Sequence, residues 1–123
     1  MRIMDRLKTL THKGKQIVLL DLTGANAAEM LEAAAQVREF YAGLAGDQLL
    51  SMTDLTSSHY DSRSLDALKK VAADNRGRVA ASAVVSESAA HRAAVSLVSL
   101  FSGRRFQSFA TRAEAMDWLV TQA

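Results

Sequence analysis

A chain of 123 residues with 49% apolar and 23% charged side chains has the make-up of one globular domain. At that length it can bury roughly two-thirds of its unfolded surface. It contains no cysteine, which excludes disulfides, thiol nucleophiles and thiolate metal sites. The net charge of +2 is spread thinly, with local density only at Arg76/Arg78, Arg104/Arg105 and "HKGK", so a nucleic-acid-binding face is not expected.

The opening "MRIMDRLKTLTHKGK" is charged throughout and lacks an apolar core segment, so no secretory signal is expected and the reading is cytoplasmic. No apolar run approaches the ~18 residues of a membrane span. Within residues 1–15, Ile3, Leu7 and Leu10 suit either a short edge strand or one loose helical turn. "QIVLLDL" (16–22) is a nearly continuous apolar run rich in branched residues, as a strand covered on both faces requires. Over residues 27–45, Met30, Ala34, Val37, Tyr41 and Leu44 recur at helical spacing. Asn26 is placed to cap that helix, with Glu29 three residues on, and Gly43 and Gly46 end it.

The strand–helix unit then repeats. "QLLSMTDL" (48–55) predicts a second strand, and "SRSLDALKKVAADN" (62–75) a helix presenting Leu65, Leu68 and Ala72 and stopping at Gly77. "RVAASAVV" (78–85) is a third strand, "SAAHRAAVSLVSLFSG" (88–103) a third helix and "RFQSFA" (105–110) a short fourth strand. In the closing "TRAEAMDWLV" (111–120), Thr111 and Glu114 have capping-box spacing, Met116, Leu119 and Val120 point inward, and Trp118 is a core residue. The expected fold is therefore a single α/β domain: a four- or five-stranded, mainly parallel sheet with four helices, joined by right-handed crossovers. In such sheets ligand sites tend to lie outside the carboxyl ends of the strands, where residues 21–26, 54–61 and 86–88 would gather.

The middle of those loops is chemically dense. "DLTSSHYDSRSLDAL" (54–68) offers Asp54, Thr56, Ser57, Ser58, His59, Asp61, Ser62 and Ser64. Asp54, His59 and Ser62 are the residue types of a nucleophilic triad, but there is no G-x-S-x-G elbow to present a nucleophile, so an enzyme is not expected. No Walker or G-x-G-x-x-G sequence is present to cradle a nucleotide, and His12, His59 and His91 lie in separate blocks without metal-ligand spacing, so no cofactor or metal is expected. With Asp61 as cap, Ser62 and Ser64 open the next helix, where a phosphate is tolerated by the helix dipole. The stretch thus reads either as an ordinary capped helix start or as a phosphorylation switch acting on a partner docked over that edge.

"LLSMTDLTSSHYDSRSLDAL" resembles the strand–loop–helix core of STAS domains, the anti-anti-sigma-factor-like proteins. "FSGRRFQSF" and "AEAMDWL" are similar to the SpoIIAA-like, STAS/SEC14-type small bacterial proteins, and the resemblance spans residues 14–122. It implies a non-catalytic regulatory module whose partner is a regulator or kinase, with Ser62 as phospho-acceptor and Ser58 or Ser64 as substitutes. Asp54 and Asp61 would shape the loop. The sequence departs from the pattern where Arg63 and Ser64 stand in place of the usual glycine.

The third helix is apolar over a wide arc: Ala90, Ala94, Leu97 and Phe101 form a stripe, Ala89, Ala93 and Leu100 widen it, and Val95 and Val98 lie beside it. One side must cover the sheet, which leaves Ala94, Val95, Leu97, Val98 and Phe101 as a candidate surface for a partner, a homodimer, or a hydrophobic or lipid ligand. A small lipid carrier is the alternative function. His91, Arg104 and Arg105 are expected to face solvent.

Overall fold

The computed structural model describes residues 6–122. Its elements run β1 (Leu7–His12), β2 (Lys15–Asp21), α1 (Ala27–Ala42), β3 (Leu49–Asp54), α2 (Ser62–Asp74), β4 (Val79–Val85), α3 (Ala89–Ser102), β5 (Phe106–Phe109) and α4 (Arg112–Val120). The ambiguous N-terminal stretch is an edge strand. Leu7 and Leu10 belong to it, while Ile3 lies outside the described residues. β1 turns into β2 through Lys13 and Gly14, both at positive φ (50° and 78°), as a two-residue hairpin turn of the primed type demands.

The five strands lie in chain order, β1 antiparallel to β2 and the remainder parallel. A sheet that grows in one direction through right-handed crossovers puts every crossover helix on one face. Accordingly α1, α2 and α3 lie side by side, and α4, which follows the last strand, covers the other face. The two-residue period sorts the strands between these layers. Ile17, Leu19, Leu50, Met52, Ala83 and Val85 meet Ala115 and Leu119 of α4. Trp118 is half-buried there, its ring 5.5 Å from that of Phe109. On the opposite face Leu20 and Val84 pack with Met30, Ala33, Leu55 and Val95, and Val18 packs with Leu7, Val37 and Tyr41.

Ser51 of β3 and Ser82 of β4 share that second face, buried where the strand pattern calls for apolar side chains, and they hydrogen-bond each other at 2.9 Å. No helix among the described residues is long and apolar enough to cross a membrane.

Candidate functional site

The loops at the carboxyl ends of the strands are tied together by ions and backbone bonds. Asp54 is buried, and its carboxylate accepts from the Thr56 amide (2.9 Å), the Thr56 hydroxyl (2.6 Å) and Arg112 Nε (2.6 Å). Arg112, at the start of α4, also reaches Asp21 at 3.1 Å. These acceptors raise the Arg112 pKa although its burial alone would lower it. Burial alone would raise the Asp21 pKa, but hydrogen bonds from Thr23 and Arg112 outweigh it and hold the value below the ordinary one.

The Ser57 amide donates to Glu87 at 2.8 Å, and the His59 amide to the Ala25 carbonyl at 2.9 Å. Ser58 is buried, its hydroxyl donating to the Leu55 carbonyl at 2.6 Å. Asp61 caps α2 by accepting from the Ser64 amide, while the buried Ser64 hydroxyl accepts from the Asp61 amide. Ser62 and His59 are exposed. Of the three candidate acceptor serines, then, one is open and two are interior bonding groups of the loop. With Asp54 held by Arg112 and His59 turned to solvent, no charge relay is assembled. Among the described residues no group of three His, Asp or Glu is arranged to hold a metal.

His91 does not face solvent. It is buried at the start of α3, its Nε2 3.0 Å from the Ser58 carbonyl, a contact that places the hydrogen on Nε2. Its Nδ1 and the Ser86 hydroxyl are buried without a hydrogen-bond partner among the described residues. Helical periodicity assigns His91 to the polar strip, but the 55–58 loop folds over the first turn of α3 and covers it.

The second feature is interior. Between the sheet and α1–α3 lies a cavity of about 100 Å³. Leu20, Met30, Leu68, Val84, Val95 and Val98 supply much of its apolar wall. The half-buried members Leu65, Leu68 and Val98 place its outer rim along the seam of α2 and α3. Ala94 and Val95 of the apolar third helix therefore face inward. Leu97 and Phe101 face outward at 46% and 57% exposure, beside Leu100 at 82%.

Arg104, expected at the surface, turns into the polar end of this cavity. It donates to the Ala72 carbonyl at the end of α2 (3.1 Å), to Ser82 Oγ (2.6 Å) and to Ser51 Oγ (3.4 Å). Its guanidinium carbon stacks 4.6 Å from the centre of the Phe106 ring. Burial pushes its pKa down, and neighbouring Tyr41 opposes that shift. Burial pushes the Tyr41 hydroxyl up, with Arg104 and Ser51 pulling it back. The two inward serines of "LLSMTDL" and "AASAVV" are the sequence signal that could have located this end: polar residues that break a buried strand pattern need a polar partner inside.

No protein-family model matches the chain, and no curated protein matches it. Among solved structures it is similar to an uncharacterized DUF3478-family protein with a SpoIIAA-like fold from Shewanella loihica PV-4. The TM-score is 0.65 over 92% of this chain and 91% of that one, with 12% sequence identity. Such identity speaks to architecture alone, and on that architecture, five strands and four helices in matching arrangement, the chain has a SpoIIAA-like α/β fold.

Proposed function

We propose that this protein is a non-catalytic binding module that holds a small, mainly apolar molecule between its sheet and α1–α3. The observation that carries the reading is the cavity of about 100 Å³ with its nearly continuous apolar wall. Close-packed interiors rarely keep voids larger than a water molecule. An apolar cavity of about 150 Å³ holds one aromatic ring, so this smaller one suits a short hydrocarbon segment. The half-buried seam between α2 and α3 offers an entry that leaves the sheet intact.

Solvent extraction of protein purified from its source cells, followed by mass spectrometry, tests the reading. A small apolar molecule at stoichiometric yield is the expected result. A clean extract together with failure of the purified protein to bind 1-butanol contradicts it.

A second reading, a regulatory interaction module switched by phosphorylation, is favoured by one observation: Ser62 is exposed at the first position of α2 while Ser58 and Ser64 are buried. Affinity capture with wild type and Ser62→Glu side by side tests it. Loss of a retained partner in the variant is expected, and equal capture by both forms contradicts it.

A further inference from the structure

We infer that the cavity takes a monoanionic amphiphile, a carboxylate on a short acyl chain, with the head on Arg104 and the chain along the apolar wall. This rests on the reading of the cavity as a ligand site and adds the ligand's chemical class.

Among the described residues Arg104 is the one charged residue on the cavity wall. No carboxylate among the described residues lies within ion-pair distance of it. A half-buried guanidinium without a counter-charge is costly, and proteins meet that cost with an acid or a ligand. The Ala72 carbonyl brings the negative pole of α2, and the Phe106 ring its π face. The serine hydroxyls bring no charge. None of these is a full counter-ion.

Bonding capacity points the same way. A guanidinium offers five N–H donors, and Arg104 uses three bonds, all to neutral oxygens. Nε and the second hydrogen of Nη1 have no acceptor among the described residues. A ligand carboxylate can accept from one of these, a single charge-assisted bond. Tyr41, buried on the same wall, carries a further hydroxyl donor.

Head and tail follow from what the wall lacks. With one cation present, a phosphate dianion would stay half-unpaired in a poorly hydrated site, so a single carboxylate fits better. A neutral alcohol would leave Arg104 as it is. Away from Arg104 and Tyr41 the wall is built from Leu20, Met30, Leu68, Val84 and Val98, which can reward only hydrocarbon. The volume of about 100 Å³ restricts that hydrocarbon to a chain of a few carbons.

The test is titration of the wild-type chain with butanoate and with 1-butanol at neutral pH, followed by amide shifts and calorimetry. Butanoate binding about tenfold or more tighter than butanol, with shifts centred on cavity residues, is the expected result, that ratio being the usual worth of a charge-assisted hydrogen bond. Arg104→Met should remove the preference and leave butanol affinity within about twofold, while Arg104→Lys should keep part of it. Butanol binding as tightly as butanoate overturns the anionic head and leaves the apolar site standing. Failure of both to bind the cavity overturns the inference and the site together. The wild-type comparison decides the matter even if a variant at Arg104 does not fold.

Discussion

At the scale of single residues the molecule separates polar groups that hold the fold from those that are left over. Asp54, Arg112 and Asp21 belong to the first kind. Asp54→Ala removes the acceptor of three hydrogen bonds and leaves part of Arg112 unpaired, so it should cost roughly 1–3 kcal/mol, read as a lower urea midpoint with unchanged slope. A midpoint equal to wild type would contradict the clamp. The depressed carboxyls set a pH dependence as well. Asp21 is held down by Thr23 and Arg112 against its burial, Glu29 by the Asn26 amide and Arg6, Asp61 by the Ser64 amide, and Asp117 by His12 and Lys13. Each has a folded pKa below its unfolded one, so its contribution is present above about pH 4 and is lost as pH falls through the depressed values. The melting temperature should hold level from pH 7 to 5 and drop below pH 4. A rise on acidification over that lower range would contradict the assignment.

Elements were the most legible scale, because their signals are local. Asn26 with Glu29, Asp61 before Ser62, and Thr111 with Glu114 all mark helix starts where α1, α2 and α4 begin. Asp61→Ala should therefore cost about 0.5–2 kcal/mol. Ser62→Glu, which adds negative charge at the positive pole of the same helix, should change stability by no more than about 0.5 kcal/mol. Paired thermal melts check both, and a large loss for Ser62→Glu would contradict its place at an exposed first turn. What local pattern could not supply was the partner of each face. His91 and Arg104 read as surface residues because their neighbours in sequence are polar or exposed. Their burial is fixed by segments more than twenty residues away, Ser58 in one case and Ala72, Ser82 and Ser51 in the other. The wide apolar arc of α3 was visible, yet its division into an inward half (Ala94, Val95) and an outward half (Leu97, Leu100, Phe101) depends on where α2 lies.

For the whole molecule, the parallel order of β2–β5 and the placement of three crossover helices on one face follow from alternation of elements and the handedness of crossovers. The cavity does not follow, since a void depends on how small residues such as Ala72 and Ala94 line up across helices and sheet. The expectation that chemistry collects at the carboxyl ends of the strands locates the ion-tied loops, whereas the polar end of the cavity sits by the end of α2, where Arg104 enters ahead of β5. Ala94→Leu should fill this space, raising stability by about 0.5–2 kcal/mol while excluding a ligand. A marked loss of stability would mean that the wall is already closed.

Whether this interior space is a binding site is tested most directly by amide spectra of the wild-type chain during titration with 1-butanol, repeated on Ala94→Leu. The account predicts saturable shifts at Met30, Leu68, Val84 and Val98 in wild type and none in the variant. Shifts confined to the exposed Leu97, Leu100 and Phe101, or the same response in both chains, would contradict it.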